Sequence, residues 1–246
     1  MIELLSNPAV WASFATLTIL EIVLGVDNVI FISIAASRLP EHQRARARFI
    51  GLLGALILRV LLLFSIAWII GLTKPFTTLF GFDLSWRDVI LIAGGLFLLY
   101  KATTEIFAEV EGEHDAKDGG LATATFGAVI AQIMVLDAVF SLDSVITAVG
   151  IADHLEVMVA AVVVAILVMM VAAEPIGAFV EAHPSTKMLA LAFLVMVGMA
   201  LVADGLHFHI ERGFIYAAMV FAGGVEGLNL WRQKRRRAAG SMVGSD

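Results

Sequence analysis

The chain contains no cysteine among its 246 residues. That excludes disulfides, thiolate metal sites and Cys-based catalysis or redox sensing, without locating the compartment. Charge is also scarce. Asp, Glu, Lys and Arg make up 15% of the residues, against roughly a quarter in a typical soluble domain. The formal net charge of −6 argues against nucleic acid as a partner. P-loop, HExxH and nucleophile-elbow patterns are all missing, which leaves a membrane enzyme without a nucleophile or cofactor signature. The N-terminus lacks a basic n-region, and its first apolar segment carries Glu21 and Asp27. Cleavage as a signal peptide is therefore not expected, and that segment should remain in the mature protein.

What fills the chain is apolar. Hydrophobic residues make up 60% and the mean hydropathy is +0.95, in runs of about twenty residues, the length a helix needs to cross a bilayer. Such runs predict helices rather than a β-barrel, hence an all-α polytopic membrane protein. Seven spans are expected, at about 10–36, 49–71, 86–107, 123–151, 156–180, 186–206 and 213–231. Together they form one transmembrane domain over 1–231, followed by a basic tail at 232–246 that is expected to be irregular beyond its charges. The connection through Lys74-Pro75 and Gly81 reads as a turn-rich loop. The segment 108–121 reads as a solvated acidic linker.

Positive charge sets orientation. Arg38, Arg44, Arg46 and Arg48 crowd the first loop, and Arg232 and Lys234 to Arg237 close the last span. Seven spans put both groups in the cytoplasm and the N-terminus outside. Trp11, Trp68, Trp86 and Trp231 near span ends fit interfacial anchors.

Two stretches break the apolar pattern. Glu21-Ile22-Val23-Leu24-Gly25-Val26-Asp27-Asn28 and Asp137-Ala138-Val139-Phe140-Ser141-Leu142-Asp143-Ser144 share one arrangement. Acids hold the first and seventh positions, and an uncharged oxygen-bearing side chain the eighth. A carboxylate inside a bilayer costs at least ~2.5 kcal/mol on insertion scales, so each such residue implies a function. A shift of 116 positions superposes the two stretches, and Gly95 to Lys101 resembles Gly198 to Asp204. Repeat one would cover about 10–107 and repeat two about 123–206, with the seventh helix extra. Three spans per repeat is an odd number, so the repeats are inverted. That design points to a transporter with a midplane site at the repeat interface.

Glu21 and Asn28 lie two turns apart on nearly one helix face, whereas Asp27 is ~9 Å from Glu21 along the axis. A regular helix therefore cannot easily bring both acids to one ion. Unwinding at Gly25 is one solution. The other has Asp27 and Asp143 approaching across the interface beside Asn28 and Ser144, with Glu21 and Asp137 lining the approach or completing the shell. Carboxylate, amide and hydroxyl oxygens suit Mg²⁺, Ca²⁺ or Mn²⁺. The same acids could instead carry protons, and residue type alone does not separate the two roles. Among the remaining intramembrane charges, Arg59 reads as a structural or gating counter-ion. Lys101, Glu174, Asp204 and Glu226 with Asn229 read as possible gating or ion-pair residues.

The paired motifs, with Asp204-Gly205-Leu206-His207-Phe208-His209-Ile210 and Glu226-Gly227-Leu228-Asn229, resemble the TerC family of integral membrane proteins over nearly the whole chain up to Trp231. The resemblance implies export of Mn²⁺ across the bacterial inner membrane, and kinship with a wider exporter superfamily that includes LysE. By that resemblance Glu21, Asp27, Asn28, Asp137, Asp143 and Ser144 are the metal-pathway residues. The short tail resembles the form without appended domains. The implied partners are the divalent ion, as substrate rather than permanent cofactor, and membrane lipid; oligomeric state stays open. The competing expectation is a non-transporting membrane component that delivers metal to enzymes or organises a metal or tellurite stress-resistance complex.

Overall fold

The protein is described from a computed structural model covering residues 7–79, 82–111, 125–149 and 154–243. Among the described residues eight helices follow one another: α1 (Pro8–Ser37), α2 (Glu41–Phe64), α3 (Ile66–Leu72), α4 (Trp86–Glu111), α5 (Phe126–Val149), α6 (Leu155–Ala182), α7 (Pro184–Gly205) and α8 (Arg212–Val243). Seven are long and apolar enough to cross a membrane, in agreement with the expected spans. The linker stretch 112–121 of the acidic segment lies outside the described residues.

Because the surroundings are lipid, these helices sort residues by size and polarity, with apolar groups on both sides. In α2 the buried stripe is Ala47, Gly51, Leu52, Ala55, Arg59 and Leu63, at spacings of three and four. Phe49, Leu53, Ile57 and Leu61 form the exposed face. Small residues on the inner stripe allow close helix approach. One charged residue, Arg59, stands in that stripe, buried to 3% exposure.

The most extensive packing pairs α4 with α7 and α1 with α6; α2 packs on both α5 and α6. Glycines fix the two largest contacts. A Cβ on Gly95 would stand 2.7 Å from the carbonyl oxygen of Gly198, and one on Gly198 would stand 3.1 Å from that of Gly95. The two glycines thus let the α4 and α7 backbones touch. In α1, a Cβ on Gly25 would fall 2.3 Å from Met169 Sδ of α6. Gly25 is therefore a packing residue. The helix runs unbroken through it, and α5 likewise runs unbroken through Ser141.

Three other differences from the sequence expectation have local causes. Span two is divided at Ser65, whose N–H bonds both the Leu61 and Leu62 carbonyls at 3.0 Å. The loop around Gly81 contains a small antiparallel hairpin, β1 (Pro75–Leu79) and β2 (Phe82–Ser85). Its Phe76 stacks on Trp86 at 4.9 Å. Ser85 then starts α4 with a reciprocal cap: its N–H donates to Asp88 Oδ2 at 2.9 Å, and the Asp88 N–H donates to Ser85 Oγ at 3.3 Å. Finally, α8 stays helical through Val243, past the basic run. Ala, Arg, Lys and Gln are strong helix formers, and nothing between 232 and 239 breaks the pattern.

Candidate metal centre

Arg59 sits between the first acids of the two motifs. Its Nη1 donates to Glu21 Oε2, and its Nη2 donates to Asp137 Oδ1 at 3.0 Å. Glu21 and Asp137 occupy the middle of α1 and α5, and both are almost fully buried. Two carboxylates and one guanidinium leave a formal charge of −1 inside an apolar bundle. Isolated, each ion would be costly; bridged by a forked donor, they can persist.

Asp137 is further held by its own helix and by α1. Ser141 Oγ, one turn on, donates to Asp137 Oδ2 at 3.1 Å. Asn28 Nδ2 donates to Asp137 Oδ1 at 3.4 Å. With its amide nitrogen committed there, Asn28 keeps its carbonyl oxygen as an acceptor. Ser144 behaves similarly: its hydroxyl donates to the Ser141 carbonyl at 3.3 Å and retains its lone pairs. Arg59 Nε is buried and has no partner among the described residues.

Asn28, Arg59 and Ser144 line one cavity of about 40 Å³, joined from α7 by Asp204 and closed by Leu24, Phe140 and other apolar groups. A water needs roughly 10–15 Å³ measured this way, so the space admits a few waters or an ion with part of its hydration shell. The two motifs' eighth residues, Asn28 and Ser144, therefore border the same small volume together with Asp204.

Four of the six expected metal-pathway residues are thus brought together: Glu21, Asn28, Asp137 and Ser144. Asp27 and Asp143 lie on α1 and α5, but their side chains fall outside the described residues. Among the described residues no group of three or more His, Asp or Glu has metal-holding geometry. What the described side chains supply is a mixed set of carboxylate, amide and hydroxyl oxygens with a guanidinium inside it.

The other charged residues separate clearly. Asp204 lines the cavity while its Oδ1 meets His209 Nδ1 at 3.2 Å. Lys101 lies with Nζ 6.0 Å from the Phe97 ring centroid and has no ion pair among the described residues. Glu174 is exposed beside Arg48 in a different cavity. Glu226 accepts from Ser185 and Thr186 at the start of α7 and from Asn229 Nδ2 at 3.4 Å, so it joins α8 to α7 away from the centre. Sequence reasoning missed Ser141 as a partner of Asp137, although the i, i+4 spacing was its signal. It also missed the pairing of Asp88 with His207, at 3.2 Å, which spacing in sequence could not reveal.

Residues 6–239 match the profile of the integral membrane protein TerC family. The UPF0053 inner membrane protein YgdQ of Escherichia coli K12 is 53% identical over 233 residues, which is 94% of this chain and 97% of that protein. A UPF0053 protein of Haemophilus influenzae is 50% identical over 230 residues, 94% of this chain and 97% of its own. The UPF0053 inner membrane protein YoaE of Escherichia coli K12 is 50% identical over 227 residues, 92% of this chain but 44% of that longer protein. No solved structure matches the chain at a significant level.

Proposed function

The chain belongs to the TerC family of integral membrane proteins, and on that premise we propose that it exports a divalent metal cation, Mn²⁺ by family resemblance, across the bacterial inner membrane. The observation that carries the proposal is the shared cavity. Asn28 and Ser144, the matching eighth positions of two separated motifs, line one space with Arg59 and Asp204. An apolar bundle has no structural need for that convergence. Asn28 and Ser144 supply neutral oxygens, and Asp27 and Asp143 supply the charged ones. Glu21 and Asp137, tied to Arg59, hold the local potential negative. The protein is a transporter in this proposal and carries out no covalent chemistry.

Inverted repeats are part of the same proposal, and two observations support them. Exchanging α1 with α5, α2 with α6 and α4 with α7 turns the α1–α6 contact into α5–α2, and α4–α5 into α7–α1; all four contacts exist. Gly95 and Gly198, aligned by the repeat, meet each other reciprocally across α4 and α7.

The polar contacts at the two ends differ. At the end formed by the α1–α2 and α6–α7 connections, Arg44 Nη1 meets Glu181 Oε2 at 3.0 Å, Lys187 pairs with Glu109, and Arg38 pairs with Glu105. The first two of these join opposite repeats. At the other end the cavity is flanked by Asp204, Ile210 and Tyr216, and one pair, Asp88 with His207 at 3.2 Å, joins the start of α4 to the end of α7. With the basic loop inside, the cytoplasmic end is the more heavily latched one.

Flux into liposomes by the purified protein, with competing divalent ions at two pH values, tests the proposal. Mn²⁺ flux is expected in the wild type and absent in folded, inserted Asp27→Asn and Asp143→Asn. Flux that survives in both variants removes the site assignment. No wild-type flux of any divalent ion favours the metal-delivery or scaffold role.

A further inference from the structure

A second recess lies at the latched end, where the α6–α7 turn meets the last turns of the α8 span. Its volume is about 450 Å³, and its walls include Phe179, His183, Ser185, Leu230, Trp231 and Lys234. The α8 membrane span closes at Arg235, while α6 ends at Ala182 and α7 begins at Pro184. The recess therefore sits where acyl chains give way to headgroups.

Its chemistry changes along that direction. Phe179, Leu230 and Trp231 form an apolar wall. His183 is fixed against it: the ring stacks on Phe179 with centroids 4.4 Å apart, and Nδ1 donates to the Phe179 carbonyl at 2.8 Å. That leaves Nε2 as the ring's remaining polar atom. Lys234 has no ion pair or hydrogen bond among the described residues. Arg235 lies over the Trp231 ring at 4.2 Å, adding a second cation beside the wall. The nearby acid, Glu226, accepts from Ser185, Thr186 and Asn229. It lies eight residues before Lys234, or ~12 Å along the helix. The cations beside the recess are thus uncompensated by that acid, which is not among the residues walling it.

We propose that this recess is a binding site for an anionic phospholipid of the adjoining leaflet, its phosphate held by Lys234 and Arg235 and an acyl chain lying along Leu230 and Phe179. Basic pockets between spans at a membrane surface select anionic headgroups in this way. The site is separate from the cation path and stands whether or not the protein transports metal.

Native mass spectrometry of the detergent-purified full chain, titrated in parallel with phosphatidylglycerol and phosphatidylcholine, tests it. A retained phosphatidylglycerol adduct is expected under conditions that strip phosphatidylcholine. Two cations each worth roughly a factor of five predict at least about a tenfold loss of that adduct in Lys234→Gln/Arg235→Gln. Lys74→Gln/Arg87→Gln, the same charge change at the opposite end, should leave it intact. Unfolding temperature measured alongside shows that the variants are folded. Equal retention of both lipids, an unchanged adduct in Lys234→Gln/Arg235→Gln, or an equal loss in the control pair would overturn the assignment.

Discussion

Replacing Arg59 with Met keeps most of the side-chain length and removes the guanidinium that joins Glu21 to Asp137. All three residues have side chains only 3–4% exposed, so the substitution leaves two carboxylates with no cation and little water. Removing one partner from a buried ion pair costs about 3–5 kcal/mol, chiefly through the charge left behind. Asp137 keeps Ser141 and Asn28 as donors, while Glu21 has no other donor among the described side chains. The upper half of that range is therefore expected, and most of the cost should arise at Glu21. Chemical unfolding in detergent micelles measures it. Neutralising the acids in the same background separates a lost contact from an orphaned charge: Arg59→Met/Glu21→Gln/Asp137→Asn should recover at least half of the loss. A single variant within about 1 kcal/mol of wild type, well below the expected range for a buried ion, would refute the reasoning. So would a triple variant no more stable than Arg59→Met alone.

The α4–α7 contact predicts that Gly95→Ala destabilises by about 1–3 kcal/mol, since its Cβ would strike backbone that cannot rotate away. Gly127→Ala, with nothing within 4 Å of its Cβ, should be neutral or slightly stabilising in the same unfolding assay. Charge reversal at the cross-repeat pair, Arg44→Glu, should weaken the closed end, and Arg44→Glu/Glu181→Arg should restore it. Because the chain has no cysteine, Ala36→Cys places a single thiol at that end, at a residue that is 0% exposed. Its labelling by a water-soluble maleimide should rise with Arg44→Glu and fall back in the paired exchange.

The spans were legible because a bilayer imposes a length and a polarity that composition alone reports. Their apolar faces were less legible. In α2 the lipid side and the packed side are both hydrophobic, so only residue size, as at Gly51 and Ala55, marks the interior. Gly25 shows the limit of that signal. A glycine inside a motif reads equally as a hinge or as a close contact, and Met169, 144 residues away, decides for contact. The hairpin was hidden for another reason: its strands are short and carry no alternating pattern. At the centre, motif spacing found the acids. The lone charge of Arg59 in span two marked it as a counter-ion, but spacing could not name the acids it joins, 38 and 78 residues away.

That partner changes what the motifs imply. An exporter passes through a state with no ion bound, and a set of bare carboxylates at midplane would then be expensive. Arg59 removes most of that expense at Glu21 and Asp137 permanently, and so takes those two acids out of the ion's first choices. In the proposed exporter the variable charge then falls to Asp27 and Asp143, with Asn28 and Ser144 as the neutral oxygens beside them. A divalent ion brought beside a triad of net −1 is favoured, whereas the same ion beside an unpaired Arg59 would be repelled. Lysine in place of Arg59 keeps the charge but loses the planar fork, so it cannot bridge both acids with parallel hydrogen bonds. Arg59→Lys should therefore retain more stability than Arg59→Met yet release one carboxylate toward the cavity. In the flux assay this appears as altered competition among divalent ions at nearly full protein insertion. Unchanged competition would place Glu21 and Asp137 outside the ion's reach altogether.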